Sequence, residues 1–329
     1  MVRGERVKVA ITGGGNVYAL NFARYLAKVG IDHFGIGRTG PKAPAFWQVD
    51  HDYRFYQLHL IRDFDKVMTC IGVERPDVVV NFAAQGEGAA SFGEDSHLFY
   101  ATNATAMVRF AEALLGRSHL RRFIQIGTSE LYGSTPEPAH ENSPTRPSSP
   151  YAISKAAFDQ HLEVMARVHG FPMNIIRPSN CYCPGQQLHR VIPQAFIAAT
   201  SGRKMQLQGG GAARKSYLHA DDLSHAIANV IDAGKLGEVY NCGPEKPIAI
   251  RDLVAHVGLI CRVPFEGLAD VTAGRKGEDA CYWLDSSKLK HHTGWKPSTE
   301  LNAGLLEMLA WVNKHPEIKT ADATYRIAE

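Results

Sequence analysis

Short, continuous apolar runs along the chain alternate with longer stretches in which apolar residues recur at helical spacing. The apolar runs lie at residues 7–12, 33–37, 77–82, 122–126 and 174–177. They predict buried strands, the last of which we expect to close the series. The stretches at 19–29 and 154–169 predict helices. Because strands that alternate with helices form parallel βαβ units, the sequence predicts an α/β fold with a doubly wound parallel Rossmann sheet.

The pattern changes after Arg177-Pro178, where turn sequences rich in glycine and proline become frequent. Helical stretches between these turns predict a smaller substrate-binding lobe, inserted among the last Rossmann elements. The predicted division assigns residues 1–177 and about 215–245 to the Rossmann domain, 178–214 and 246–315 to the lobe, and 316–329 to a polar tail.

A glycine turn, Thr12-Gly13-Gly14-Gly15-Asn16-Val17, joins the first predicted strand to the first helix. Glycines in this position let backbone N–H groups approach a pyrophosphate at the helix N-terminus. The residues expected at a dinucleotide cofactor are Gly13, Gly15, Asn16 and Val17. Asn16 replaces the second glycine of a G-x-x-G-x-x-G register. We expect a left-handed backbone there, with the side chain near the phosphates and cofactor binding altered.

The end of the second predicted strand indicates which dinucleotide is bound. A carboxylate at this place would hold the ribose 2′-OH of NAD. The sequence Gly37-Arg38-Thr39 has none, and Arg38 suits a 2′-phosphate instead. The sequence therefore favours NADP, with NAD possible, and a solvated loop arginine is the alternative.

A second set of polar residues has a spacing suited to acid–base chemistry. Tyr151 and Lys155 lie four positions apart, on one face of a helix. The ammonium favours the phenolate, which prepares the tyrosine to exchange protons with a hydroxyl group. Thr128 and Glu130 follow the strand 122–126, so they lie where the ligand crevice of a doubly wound sheet is found.

These motifs resemble, in kind and order, those of one known family. They are the glycine turn, Asn81-Phe82-Ala83-Ala84, Thr102-Asn103, Thr128-Ser129-Glu130-Leu131-Tyr132-Gly133, Ser149-Pro150-Tyr151-Ala152-Ile153-Ser154-Lys155 and Arg177-Pro178-Ser179-Asn180. From about residue 7 to 315 the sequence resembles extended short-chain dehydrogenase/reductases, specifically nucleotide-sugar epimerases and dehydratases. Its Thr-Ser-Glu triplet is similar to that of GDP-mannose 4,6-dehydratases, whereas dTDP-glucose 4,6-dehydratases carry Thr-Asp-Glu. Ser148, where UDP-glucuronate decarboxylases place an arginine, counts against decarboxylation.

The resemblance implies a 4,6-dehydratase that uses tightly bound NADP(H) to make a 4-keto-6-deoxy nucleotide sugar. Tyr151 would take the proton of the sugar 4-OH while hydride passes to the nicotinamide. Glu130 would then remove the C5 proton, and water would leave from C6. Thr128 would hydrogen-bond the 4-oxygen, and Lys155 would hold the nicotinamide ribose and tune Tyr151.

The resemblance also implies binding residues around these four. Further cofactor contacts are expected at Ala83, Ala84 and Asn103, and substrate contacts at Ser129, Asn180, Arg190, Arg214 and Arg275. Arginine suits a diphosphate because its planar fork can bond two oxygens at once.

Two other functions remain open. A 4-epimerase or 4-keto reductase on the same fold would return hydride to C4 and would not need Glu130. A non-catalytic dinucleotide sensor is favoured by the altered glycine turn, but it has no need for a tuned phenol.

Composition narrows the set of partners. The 36 Lys and Arg against 33 Asp and Glu leave a net charge of +3, without the basic stripe of a nucleic-acid binder. No apolar run reaches the roughly 20 residues of a membrane span, and the six cysteines show neither disulfide nor zinc spacing. We expect a cytoplasmic protein without nucleic-acid, membrane or metal partners. The resemblance implies a homodimer formed by the helix near 103–115 and the helix after Tyr151.

Overall fold

The computed structural model describes residues 7–40, 53–86, 88–274, 279–321, 323–325 and 327. Its strands are β1 (Lys8–Thr12), β2 (Asp32–Gly37), β3 (Phe55–Gln57), β4 (Val78–Asn81), β5 (Arg122–Ile126), β6 (Met173–Pro178), β7 (Asn180–Tyr182), β8 (Met205–Gln208), β9 (Arg214–Lys215), β10 (Tyr217–His219), β11 (Val239–Cys242), β12 (Ile248–Ala249), β13 (Ala269–Thr272) and β14 (Cys281–Tyr282).

The helices connect these strands and cover both faces of the main sheet. They are α1 (Val17–Lys28), α2 (Phe64–Glu74), α3 (Ser96–Tyr100), α4 (Met107–Leu114), α5 (Pro150–His169), α6 (Val191–Ser201), α7 (Ala220–Ala233), α8 (Ile250–Cys261), α9 (Phe265–Leu268), α10 (Ser287–Thr293) and α11 (Leu301–Lys314). Within the described residues, none of these helices combines the length and the apolar character that crossing a membrane requires.

The main sheet has seven parallel strands in the order β11-β6-β5-β4-β1-β2-β3. The chain enters the sheet at β1, builds outward to β3, and then returns to the other side of β1 through β4. Ligands bind at such a reversal, outside the carboxyl ends of the strands. The predicted doubly wound α/β fold is confirmed.

All five predicted strands are present, and their ends shift by no more than one residue. The expectation that the strand at 174–177 closes the series is wrong, because β11 pairs with β6 and continues the sheet by one strand. With four residues, β11 is too short for its apolar run to be distinguished from a buried loop or helix. The three-residue edge strand β3 was missed for the same reason.

Helix α5 begins four residues before its predicted start at Ser154. Ser149 caps it, its hydroxyl accepting a hydrogen bond from the Ala152 N–H at 3.2 Å. Pro150 follows at the first helical position, where its fixed φ fits and its missing N–H costs nothing. The early start places Tyr151 in the first turn of the helix, and Gly170 ends it with a left-handed φ of 64°.

Three large apolar clusters form the core. One lies under α1 and α7 on one face of the sheet, and the second under α2, α4 and α5 on the other face. The third, which we call the lobe cluster, lies between α6, α8 and α11, in the part of the chain that the sequence predicts to form the lobe. The segment from 316 onward was expected to be a polar tail, but Ile318 is fully buried in the lobe cluster and Tyr325 packs against the ring of His189 at 5.2 Å.

We predict that Ile318→Ala lowers the free energy of unfolding by about 2–4 kcal/mol, because it opens a cavity in the lobe core. Leu259→Ala removes an aliphatic side chain that is 80% exposed in the same lobe and should change stability by less than about 0.5 kcal/mol. Urea unfolding of both variants measures the difference. Equal stability of the two variants would show that the C-terminal segment does not pack as described.

Candidate active site

A cleft of about 990 Å³ lies at the carboxyl ends of the main strands, between the sheet and the lobe. Ten of the residues singled out in the sequence line it: Asn16, Arg38, Ala84, Thr128, Ser129, Glu130, Tyr151, Lys155, Asn180 and Arg190. The structure therefore brings together residues that are up to 174 positions apart in the chain.

The glycine turn packs closely against the neighbouring segments. Gly13 has a φ of +68°, and a Cβ there would lie only 2.5 Å from the backbone nitrogen of Ala83. A Cβ on Gly15 would lie 2.2 Å from the carbonyl oxygen of Thr39. The side chain of Val17 is buried beside Leu20. The predicted cofactor residues Gly13, Gly15, Val17 and Ala83 therefore pack closely next to Asn16 and Ala84, which line the cleft, and their contact with a cofactor stays a prediction.

Asn16 does not have the expected left-handed backbone. Its φ of −70° and ψ of 144° are extended, as is usual for a residue that caps a helix. The side-chain Oδ1 accepts a hydrogen bond from the Tyr18 N–H at 2.9 Å. The expectation is wrong because a residue that caps a helix has an extended backbone and needs no glycine-like φ, even where it replaces a motif glycine.

Tyr151 and Lys155 both face the cleft from the first turns of α5. The Tyr151 N–H donates to the Ser91 hydroxyl at 3.1 Å, and its ring meets Phe99 edge-on at 6.5 Å. The Lys155 ammonium is buried and donates to the Ile126 carbonyl at 2.7 Å, at the end of β5. Burial lowers the pKa of Lys155 to about 8, against the opposing attraction of Asp159. The lysine is thus held at a fixed place one helical turn from the phenol.

Thr128 and Glu130 follow β5, Thr128 just before a short 3-10 helix, Ser129–Tyr132, and Glu130 within it. The Thr128 hydroxyl caps this helix by accepting from the Glu130 N–H at 3.2 Å. The carboxylate of Glu130 lies against Gly88, where a Cβ would be only 2.8 Å from Oε2. Glycine at position 88 therefore leaves room for the carboxylate beside the first turn of α5.

Asn103 lies beneath the cleft rather than in its wall. It sits in a π-helical segment, Ala101–Ala106, and is fully enclosed. Its amide clamps the backbone of Gln85, accepting at 2.7 Å and donating at 2.9 Å, and it also donates to the Ser154 hydroxyl at 3.0 Å. Asn103 thus ties the loop after β4 to α5, and its direct contact with a cofactor stays a prediction.

On the lobe side, Arg214 is exposed and donates to the Pro247 carbonyl at 3.1 Å, away from the lining residues. The next residue, Lys215, is buried and lines the cleft, its ammonium 5.0 Å from the centre of the Tyr282 ring. Sequence reasoning missed Lys215. The signal was available, because alternate residues of an extended segment share a face and Tyr217 also lines the cleft. Arg275 lies outside the described residues.

Tyr18 is another lining residue that the sequence did not reveal. Its hydroxyl donates to the Cys181 carbonyl at 2.8 Å and accepts from the Gln186 side-chain amide at 2.9 Å. Burial raises the pKa of Tyr18 far above its ordinary value. These two hydrogen bonds fix the start of α1 to the segment after β6. No local pattern in the sequence predicts them, because the residues involved are far apart in the chain.

A buried ion pair lies directly below Lys155. Arg177, at the end of β6, donates to Asp159 at 3.0 Å, and both side chains are enclosed. The same guanidinium donates to the Tyr132 hydroxyl at 3.0 Å and to the half-exposed Glu163 at 3.3 Å. A Cβ on Gly127 would lie 3.1 Å from Asp159 Oδ2, so the absence of a side chain there makes room for the pair.

We predict a pH signature for Lys155. Its pKa is about 8 in the folded protein and 10.5 in the unfolded chain. Between these values the unfolded chain holds the proton more tightly, so the stability of the folded state rises with pH across this window. Wild type should gain about 2–3 kcal/mol relative to Lys155→Met between pH 8 and 10.5. Urea titrations at several pH values measure the gain, with Lys66→Met, at an exposed lysine, as the control. Parallel curves for wild type and Lys155→Met would contradict the shift.

We also predict unequal effects for the two carboxylates that bind Arg177. Asp159→Asn leaves a buried guanidinium short of its counter-charge and should cost about 3–5 kcal/mol of stability. Glu163→Gln alters a half-exposed partner of the same arginine and should cost less than about 1 kcal/mol. Denaturant unfolding of both variants tests this, and a larger loss for Glu163→Gln would contradict it.

Comparison with known proteins identifies the family. Residues 9–243 match the NAD dependent epimerase/dehydratase family. A dTDP-glucose 4,6-dehydratase of Streptomyces niveus is 34% identical over 236 residues, which cover 71% of this chain and 69% of the relative. A trifunctional UDP-glucose 4,6-dehydratase/UDP-4-keto-6-deoxy-D-glucose 3,5-epimerase/UDP-4-keto-L-rhamnose-reductase of Arabidopsis thaliana is 30% identical over 270 residues, or 81% of this chain. The match spans only 40% of that plant protein.

A solved structure agrees with these matches. The dTDP-glucose 4,6-dehydratase of Streptomyces venezuelae, solved with NAD bound, superposes with a TM-score of 0.87 at 26% identity and covers 94% of this chain and 98% of its own. The family match covers most of the chain and includes the glycine turn, Glu130, Tyr151 and Lys155. The chain therefore belongs to the NAD dependent epimerase/dehydratase family.

Proposed function

We propose that this chain is a nucleotide-sugar 4,6-dehydratase that forms a 4-keto-6-deoxy nucleotide sugar. The observation that carries the proposal is the Glu130 carboxylate, which lines the same cleft as Tyr151 and Lys155. Dehydration needs a base for the C5 proton in addition to the acid–base group at the 4-hydroxyl. An epimerase or reductase needs only the latter, so an ordered carboxylate at this place favours dehydration.

The lining of the cleft fits a nicotinamide dinucleotide together with a nucleotide diphosphate. Among the described lining residues, five are lysine or arginine and one is acidic: Arg38, Lys155, Arg190, Lys204 and Lys215 against Glu130. This excess of positive charge suits two diphosphate groups. When bound, the dinucleotide supplies a hydride acceptor for C4 of the sugar and a donor for C6.

The residues of the chain then have separate tasks. Tyr151 accepts the proton of the sugar 4-hydroxyl, and Lys155 stabilises the phenolate and holds the nicotinamide ribose. Thr128 hydrogen-bonds the oxygen at C4. Glu130 removes the C5 proton, which the 4-keto group has made acidic, and passes it to the C6 hydroxyl, which leaves as water. With hydride returned to C6 and a proton to C5, the product has lost one water and undergone no net redox change.

We propose NADP as the preferred dinucleotide, with NAD as the alternative. Arg38 lines the cleft directly after β2, where a 2′-phosphate would lie. The acidic residue of β2 is Asp32, which begins the strand and binds Arg54 at 2.8 Å. It lies at the opposite end of the strand from the cleft and is not placed to hold a ribose.

For the substrate diphosphate we propose Arg190 and Lys215, with Lys215 in the role expected of Arg214. Both line the cleft on the lobe side, whereas Arg214 binds a backbone carbonyl elsewhere. Ser129 and Asn180 line the same cleft and remain proposed substrate contacts. The expected contact at Arg275 remains a sequence prediction.

A homodimer through α5 is part of the same proposal. Three apolar residues on this helix are 42–61% exposed, namely Ile153, Val164 and Val168. Their spacing places them on one face of the helix, which packs beside α4. Burial of such a face against a second copy would remove this apolar surface from water. The division into Rossmann domain and lobe, and the cytoplasmic location, also stay predictions.

The test is to identify the bound nucleotide by mass spectrometry and then to incubate the protein with GDP-mannose, dTDP-glucose and UDP-glucose. A product that is about 18 Da (one water) lighter than the substrate, formed without added reductant, supports dehydration and identifies the sugar nucleotide. A product of unchanged mass would indicate epimerisation. Bound dinucleotide without any product would favour a reductase or a sensor.

We predict that Glu130→Gln lowers the rate of water loss by about 10²–10⁴, because the amide cannot take the C5 proton. Hydride transfer from C4 should persist, so reduced nicotinamide should accumulate on addition of substrate and be visible in the absorption spectrum. Glu112→Gln, at a side chain that is 61% exposed, is the matched control. Normal dehydration by Glu130→Gln would exclude the carboxylate as the base.

A further inference from the structure

At the start of α1, a side chain of the protein itself lies at the place proposed for the cofactor pyrophosphate. We propose that the Asn16 side-chain oxygen competes with the pyrophosphate for the Tyr18 N–H, so that this asparagine weakens dinucleotide binding. This inference rests on the dinucleotide site proposed above and concerns how tightly that site binds.

The competition follows from the geometry of the turn. The Asn16 Oδ1 lies 2.9 Å from the Tyr18 nitrogen. The Asn16 N–H donates to the Gly13 carbonyl at 2.9 Å, and the Asn16 carbonyl accepts from the Leu20 N–H at 2.8 Å. N–H groups in the first turn of a helix are those that bind phosphate oxygens in dinucleotide sites. The amide oxygen therefore sits where a phosphate oxygen would accept.

Tyr18 cannot relieve the competition by moving. Its hydroxyl is held from both sides, by the Cys181 carbonyl at 2.8 Å and the Gln186 amide at 2.9 Å. These bonds anchor the start of α1 to the segment after β6. The side chain of Asn16, by contrast, borders the open cleft and has space to rotate into. The side chain that must rotate when a pyrophosphate arrives is thus Asn16.

The charge at this helix end also matters. The first turn of α1 contains no acidic residue, so the partial positive charge of the helix N-terminus is met there by a neutral amide. A phosphate carries full negative charge and makes the stronger, charge-assisted hydrogen bond. The phosphate can therefore displace the Asn16 amide. Because binding of the dinucleotide must then break the asparagine cap, we expect the cap to weaken the dinucleotide binding constant by about fivefold.

The experiment is calorimetric titration of NADP and of NAD into wild type, Asn16→Gly, Asn16→Ala and Asn16→Asp, with the bound nucleotide of each preparation quantified beforehand. Glycine and alanine remove the competing oxygen, and we expect both variants to bind more tightly than wild type, alanine by about fivefold and glycine by a smaller factor. Aspartate keeps an acceptor at the cap and adds negative charge, so it should bind more weakly than wild type. Thermal unfolding without ligand checks that each variant is folded, and the glycine cap is expected to cost little stability.

Equal or weaker binding by both Asn16→Gly and Asn16→Ala would overturn the inference, and weaker binding would make Asn16 a phosphate ligand through its NH2 group. Tighter binding by Asn16→Asp would overturn it as well. These outcomes leave the proposed cofactor site intact. Failure of every protein, wild type included, to bind either dinucleotide would overturn the cofactor site and this inference together.

Discussion

The guanidinium of Arg177 holds together the elements that carry the proposed catalytic groups. It reaches Asp159 on α5, which is the helix of Tyr151 and Lys155. It also reaches Tyr132, at the end of the 3-10 helix that contains Glu130. Tyr132 in turn donates to Asn241 on β11 at 2.9 Å. One buried cation at the end of β6 therefore sets the distance between the proposed acid–base pair and the proposed C5 base.

A buried cation of this kind is costly to desolvate, and its enclosed partner Asp159 compensates for that cost. Its value to the protein lies in geometry more than in net stability, because catalytic groups must be held to within fractions of an ångström. Lys155 lies in the same buried environment. Its ammonium donates a hydrogen bond to the Ile126 carbonyl, and burial lowers its pKa to about 8. The arrangement keeps a titratable lysine buried and fixed one helical turn from the phenol.

The sequence was sufficient for the fold because parallel strands are buried on both faces and so appear as continuous apolar runs. It failed for β3 and β11, where three or four residues carry too little pattern. In the cleft, residues within one helix or one turn were predictable from spacing, as with Tyr151 and Lys155. Residues that meet only through tertiary packing, such as Tyr18 with Cys181 and Tyr325 with His189, were not.

The contact between Gly88 and Glu130 links two positions that are 42 apart in the sequence. A Cβ at position 88 would meet Oε2, the far end of a flexible side chain, so a larger residue there would be accommodated by rotation of the carboxylate rather than by movement of the backbone. Substitution at 88 would therefore change the direction in which the Glu130 carboxylate points and would have little effect on stability. Position 88 thus offers a way to alter the aim of the proposed C5 base while leaving the base itself, and the fold that carries it, in place.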